Sequence, residues 1–275
     1  MENQTNGARS GSYPVGYEPF ELELESQLGD VDIVVVPESD EIRWSLEGRD
    51  AAAAKVEVSF EGNVLRVCSG QRRKLNVLGY IVNSLSSNDS VDIRLTLPQN
   101  LKNATIKIEM GDLRVHGAAF GPATISSGKG NVEIESFANA EMALAAGFTR
   151  VPSGGEAGSV KTGLGHVFIG VGSGARLESG VGNVQVDHLI GDAWMKAGTG
   201  DIIVKKMAWG ELDANAGVGD VKIGVPRGTA ALLDCTSGLG EVKSELRGGG
   251  EPEPDAPHVA IRGKSGVGNV SIRYA

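Results

Sequence analysis

Two glycines one residue apart recur seven times after residue 127, each time just before a short β-branched run. Gly128-Lys129-Gly130-Asn131-Val132, Gly180-Val181-Gly182-Asn183-Val184 and Gly217-Val218-Gly219-Asp220-Val221 are typical copies. With the second glycine as origin, units stand at 130, 147, 165, 182, 200, 219, 240 and 268, and Ala145 replaces the first glycine of the 147 unit. Spacings are 17 to 21 residues except the last, which carries an insertion. Weaker copies stand upstream at Leu28-Gly29-Asp30-Val31 and Met110-Gly111-Asp112-Leu113. Repetition at a near-constant period marks stacked supersecondary units.

The columns around this register define what is buried. Two residues after the origin stand Val132, Thr149, Val167, Val184, Ile202, Val221, Val242 and Val270, and four after it Ile134, Val151, Ile169, Val186, Val204, Ile223, Ser244 and Ile272. Five before it stand Ile125, Met142, Val160, Leu177, Met195, Ala214, Cys235 and, breaking the pattern, Gly263. The column seven before is also mostly apolar, from Ala123 to Leu233 and Ile261. Offsets of −7, −5, +2 and +4 are two runs of period two, which describes strands with one buried face. Each unit is therefore strand, glycine turn, strand. One such unit has nothing to bury its apolar face against, and stacking joins the columns into a core. The expected fold is all-β: a single-domain β-solenoid, a parallel β-helix-like stack of 17–21-residue rungs with a β-rich N-terminal cap. Residues 17–275 form the solenoid domain, with an irregular cap over 17–115, regular rungs over 116–275 and a surface loop over 247–258.

Within the cap, Phe20–Leu24, Ile42–Leu46 and Val91–Leu97 alternate cleanly, and Val56–Phe60 with Val64–Val67 reads as a hairpin around Gly62-Asn63. Asp50 to Lys55, with four alanines, is compatible with a short helix, and Leu75–Ser90 with a loop covering the first rung. Residues 1–16 are polar with no apolar segment, as expected of a flexible tail rather than a signal peptide. No run approaches the ~18 apolar residues of a membrane span. A cytoplasmic location is the simplest expectation.

The formal charge of −9 argues against free nucleic acid as a partner, since phosphate binding needs a concentrated basic face. Arg72-Arg73-Lys74 is the one sizeable basic run and reads as a solvated turn. Of the two cysteines, Cys235 falls in the −5 core column, where a buried inert thiol is expected, and neither implies a disulfide framework.

Candidate chemistry is sparse. The +1 column is Asn131, Phe148, His166, Asn183, Asp201, Asp220, Glu241 and Asn269. Three carboxylates are too few for calcium, which takes six to eight oxygens per site, so calcium is not expected. Turn-forming Asn and Asp that bond their own backbone account for this column. Lys161, Glu178 and Lys196 form a charge ladder, without the paired carboxylates of a glycosidase. Gly263-Lys264-Ser265 lacks the upstream glycine of a phosphate-binding loop, and His116, His166, His188 and His258 show no metal-ligand spacing. No catalytic, cofactor-binding or metal residue is assigned. One column remains: Leu164, Val181, Thr199, Val218, Leu239 and Val267, each between its two glycines. Facing outward, these make an apolar stripe suited to a protein partner or self-association; facing inward, they are core.

The repeated S/T-G-x-G-D/N-V-x-V pattern, Gly228-Thr229-Ala230-Ala231-Leu232-Leu233-Asp234 followed by Ser237–Val242, the terminal Ser265–Ile272 and the upstream Ser90–Pro98 resemble the bacterial putative-adhesin family of β-strand-repeat proteins of unknown function. The resemblance covers residues 17–275. It implies the same stacked fold and offers no catalytic residues. The expectation is a non-enzymatic, adhesin-like binding or scaffolding module, in envelope-associated processes. The alternative is a carbohydrate-active or carbohydrate-binding β-helix.

Overall fold

Every regular element bearing the repeat is a strand, as the period-two columns require. A computed structural model describes residues 3–5, 8–49, 53, 55–69, 90–117, 120–156, 158–246 and 257–275. The chain divides into two units, residues 1–130 and 131–275.

The first unit contains β1 (Asn3–Thr5), β2 (Ala8–Pro14), β3 (Phe20–Leu28), β4 (Val31–Val36), β5 (Glu41–Gly48), β6 (Val56–Glu61), β7 (Val64–Ser69), β8 (Val91–Pro98), β9 (Leu101–Met110), β10 (Leu113–Gly117) and β11 (Ala123–Lys129). One sheet runs β7–β3–β9–β11, all parallel. The other runs β8–β4–β10, also parallel. The Gly29 and Gly111 copies are thus true rungs: Leu22, Leu24, Val31, Ile33, Ala104, Ile106, Leu113 and Val115 are all buried. Antiparallel strands close one end. β6 returns on β7 through Gly62 and Asn63 at φ +58° and +60°, the two positive angles of a tight hairpin turn. On the other sheet β5 pairs with β8, β2 with β5 and β1 with β2.

Residues 8–14 are therefore not the flexible tail expected from their polarity. The Arg9 guanidinium donates to the Ala53 and Val56 carbonyls, and the Tyr13 hydroxyl to the Val58 carbonyl. Gly11 passes so close to the Trp44 ring that a Cβ there would lie 2.7 Å from it. Polar side chains and one small residue hold this strand, so no apolar run announces it. Most of Asp50–Lys55, residues 70–89, Arg72-Arg73-Lys74 among them, and residues 247–256 lie outside the described residues.

The second unit contains β12 (Val132–Ile134), β13 (Ser136–Ala138), β14 (Ala140–Ala146), β15 (Thr149–Val151), β16 (Gly154–Glu156), β17 (Ser159–Leu164), β18 (Val167–Ser173), β19 (Ala175–Val181), β20 (Val184–Ile190), β21 (Ala193–Thr199), β22 (Ile202–Val218), β23 (Val221–Val225), β24 (Ala230–Leu239), β25 (Val242–Ser244), β26 (His258–Val267) and β27 (Val270–Tyr274). One sheet is β14–β17–β19–β21–β22–β26–β24, parallel throughout. The other is β12–β15–β18–β20–β22–β23–β27–β25, also parallel. β22 serves both sheets and turns at Gly210, φ +104°.

Stacking departs from chain order at the end of this unit. The rung of Gly268 lies between those of Gly219 and Gly240, so the penultimate repeat is outermost. The two exceptions in the columns fit this order. Ser244 replaces a β-branched residue where one side of the rung is open, and it is exposed. Gly263 replaces a larger residue in an inner rung, where a Cβ would lie 3.1 Å from Val270 Cγ1 and 3.3 Å from Cys235 Sγ. Cys235 is consequently half-buried rather than a sealed core thiol.

Candidate functional site

The glycine pair builds a corner where one sheet passes into the other. At the second position, Gly182, Gly200, Gly219 and Gly268 hold φ between +141° and +148°. A Cβ on each would overlap the carbonyl oxygen of the matching glycine one rung away: Gly165, Gly182, Gly200 and Gly219 respectively. At the first position, a Cβ on Gly180, Gly198, Gly217 or Gly266 would sit 2.5 Å from the carbonyl oxygen of Gly163, Gly180, Gly198 or Gly217. Both positions need glycine because backbones meet there.

Two hydrogen-bond ladders flank the corner. On the outside, six of the eight +1 side chains of the second unit, all but Phe148 and Glu241, accept the backbone N–H of the +1 residue in the adjacent rung. Asn131 Oδ1 accepts from Phe148, His166 Nδ1 from Asn183, Asn183 Oδ1 from Asp201, Asp201 Oδ1 from Asp220, Asp220 Oδ1 from Asn269 and Asn269 Oδ1 from Glu241, at 2.9–3.1 Å. In the first unit, Asp30 Oδ1 accepts from Asp112 N–H in the same way. These side chains bond the next rung, which corrects the turn-based reading of the column. His166 is a rung-to-rung acceptor, although it is as exposed as His116, His188 and His258.

Adjacent carboxylates in the ladder are bridged by a cation two residues further on. Lys222 Nζ reaches Asp201 at 3.2 Å and Asp220 at 3.0 Å, and Arg114 reaches Asp30 at 3.4 Å and Asp112 at 3.2 Å. Asp220 is held below the usual carboxylate range, first by the Asn269 N–H and then by Lys222. Lys222 is raised, first by Asp220. The Gly-Asp-Val-Lys and Gly-Asp-Leu-Arg sequences carry this signal, and the spacing alone would have revealed it.

On the inside, a hydroxyl three residues before the second glycine, buried at Ser179 and Ser265 and half-buried at Ser237, donates to a glycine carbonyl of the neighbouring rung. Ser179 Oγ reaches Gly165 O at 2.8 Å, Ser265 Oγ reaches Gly219 O at 2.8 Å and Ser237 Oγ reaches Gly268 O at 2.7 Å. This gives the Ser/Thr of the repeat its role. It also places Gly263-Lys264-Ser265 as rung structure.

Between the two ladders stands the column the sequence left open. Leu164, Val181, Thr199, Val218, Leu239 and Val267 all face solvent, the five aliphatic ones being 45–70% exposed. In-register pairing orders them as Leu164, Val181, Thr199, Val218, Val267 and Leu239. At ~4.8 Å per rung the ridge is about 24 Å long. The flanking glycines deny it neighbouring side chains, so it protrudes.

The outer face of the β19–β21–β22–β26–β24 sheet carries a groove of about 440 Å³. Its groups are mutually engaged: the Arg176 guanidinium stacks 3.9 Å from the Trp194 ring centroid, and Arg262 lies 3.6 Å from Asp213 and 3.5 Å from Asp234. Glu178 likewise sits between Lys161 and Lys196, at 3.8 and 4.0 Å. Among the described residues, no group of three or more His, Cys, Asp or Glu could hold a metal ion. No helix among them is long and apolar enough to cross a membrane.

The family model described as Toastrack DUF4097 matches residues 20–269, most of the chain and both sets of corners. The chain belongs to the Toastrack DUF4097 family. Solved structures resembling this Toastrack chain include a putative adhesin from Bacteroides fragilis, 16% identical, with 98% of each chain covered and a TM-score of 0.48. A putative adhesin from Parabacteroides distasonis is 10% identical over 96% of each chain, TM-score 0.47. A putative lipid binding protein from the same organism is 13% identical over 96% of each chain, TM-score 0.45. None of the curated proteins matches.

Proposed function

We propose that this Toastrack chain is a non-enzymatic binding module whose corner ridge docks a protein partner. The observation that carries the reading is the exposure of five aliphatic side chains in register on one edge of the second unit. Apolar side chains scattered singly over a surface mean little, whereas a contiguous rib of them on a rigid scaffold is what a partner's apolar surface can cover. The rib is rigid because the outer ladder ties each of its rungs to the next and the inner one adds a bond between three of the five neighbouring pairs. The sheet groove supports a carbohydrate reading less well, since one face of Trp194 is occupied by Arg176 and Arg262 is engaged by Asp213 and Asp234.

The test compares the wild-type chain, immobilised, with a Val181→Asp/Val218→Asp variant and with Lys196→Glu as a surface-charge control. Partner capture should be retained by the control and lost in the ridge variant, with both melting as wild type. Equal capture by all three chains would refute the ridge as the docking surface. Turnover of a polysaccharide, abolished by a single carboxylate substitution, would refute the non-enzymatic reading.

A further inference from the structure

The outermost rung of the second unit is an open edge. Among the described residues, β24 pairs only with β26 and β25 only with β27. Leu232 is 74% exposed and Val242 47%, although Val242 belongs to a column buried in every other described rung. Natural edge strands are blunted by proline, lysine or bulges. β24 has ten residues, no proline and a single charge, Asp234. The connecting residues 247–256 include, apart from two prolines, no apolar side chain larger than alanine.

The backbone of this edge is oriented for a partner strand. Ala230 N–H donates into the stack, to Pro257 O. Strand alternation then aims the N–H and C=O of Ala231, Leu233 and Cys235 outward. On the other sheet, Glu241 C=O and Glu245 N–H are used within the stack. The same alternation leaves those of Val242 outward. The −5 and +2 positions face each other across the core, as the proximity of Gly263 to Val270 Cγ1 shows. In the outermost rung those positions are Cys235 and Val242. A single line normal to both sheets therefore passes near two residues whose backbone groups both point outward.

We propose that this edge pairs with the same edge of a second copy of the chain, about a two-fold axis through Cys235 and Val242. The axis makes β24 antiparallel to its partner and β25 antiparallel to its partner. Opposite each other then lie Leu233 and the second copy's Ser237, Asp234 and Thr236, and Glu241 and Lys243; on β24 the pairing ends before Leu239, whose carbonyl accepts the Gly268 N–H within the stack. No two like charges face, and the one charged pairing is of opposite sign. Self-complementarity of this kind is what an isologous interface requires, and it favours a second copy over an unrelated extended segment. The exposed Leu232 and Val242 are covered without any new element.

The experiment is sedimentation of the full chain over a range of concentrations. Wild type should dimerise reversibly. Leu233→Pro removes an outward N–H that faces the second copy's Ser237, at an edge position where proline can be accommodated, and it should give a folded monomer. Glu241→Lys alone, or Lys243→Glu alone, should raise the dissociation constant several-fold, and the double reversal should restore it. Val218→Asp, on the ridge two rungs away, should leave the dimer intact, which separates this interface from the ridge. A wild-type chain that stays monomeric would overturn the proposal. So would a dimer indifferent to Leu233→Pro, a double reversal without rescue, or a dimer abolished by Val218→Asp.

Discussion

Substituting Gly182 by alanine isolates the contact on which the stack depends. Gly182 has φ +144°, and a Cβ there would overlap the Gly165 carbonyl oxygen. The backbone conformation alone costs an L-residue about 1–3 kcal/mol. Moving one rung off the other to relieve the overlap adds about 1–3 kcal/mol, the usual range for overpacking. The total is about 2–6 kcal/mol. Gly228 supplies the control within the same unit: φ is +81°, and a Cβ there would have no atom within 4 Å. Gly228→Ala should cost only the conformational part, about 1–2 kcal/mol. Urea midpoints give the global comparison. Hydrogen exchange adds the local one, because stacked repeats can open rung by rung. The amides of Gly165 and Gly182, which donate to Val181 and Thr199 carbonyls at 2.8 Å, should lose protection in Gly182→Ala first. If Gly182→Ala proves no more destabilising than Gly228→Ala, the carbonyl contact is not what demands glycine.

The inner ladder makes a paired prediction. Ser179→Ala deletes a hydrogen bond to Gly165 O and should cost about 1 kcal/mol. Ser127 Oγ is buried with no hydrogen-bond partner, so Ser127→Ala should be neutral or stabilising in the same denaturation assay. The outer ladder predicts a pH effect. Because Asp220 is depressed in the folded chain, its contribution is fully present above the ordinary carboxylate value near 4 and is lost as pH falls through its own lower value. Asp220→Asn keeps the Oδ1 acceptor and should flatten the acid limb of a stability–pH curve below about pH 4. An unchanged limb would count against the assignment.

The apolar columns were legible in the sequence because burial on one sheet face leaves a period-two trace in every unit. Leu22 and Val31 in the first unit obey it as clearly as Val184 and Val186 in the second. The ridge residues were legible as a column, but their direction was not, since either orientation of the corner satisfies the same spacing. Rung order was hidden for a different reason. Strand pairing is decided by which edge is free, and only the misfit residues Ser244 and Gly263 hint that the last repeat sits inside. The N-terminal strand escaped because Arg9, Gly11 and Tyr13 hold it by polar and close-packed contacts. The ladder role of His166 escaped because its bond runs to a residue 17 positions away.

The continuity of the ridge, the glycine contacts and the open edge all depend on the order in which the last rungs stack. Engineered disulfides read that order directly, in a Cys68→Ser/Cys235→Ser background. Asn215 is paired with Lys264, and Lys264 in turn with Thr236. Neighbouring rungs are ~4.8 Å apart and next-nearest rungs about twice that, while a disulfide spans Cα separations of ~4.4–6.8 Å. Asn215→Cys with Lys264→Cys should therefore oxidise readily to an intrachain disulfide, and Asn215→Cys with Thr236→Cys should not. The reverse pattern would mean that the rungs stack in chain order, and the ridge, its flanking ladders and the proposed edge would have to be redrawn.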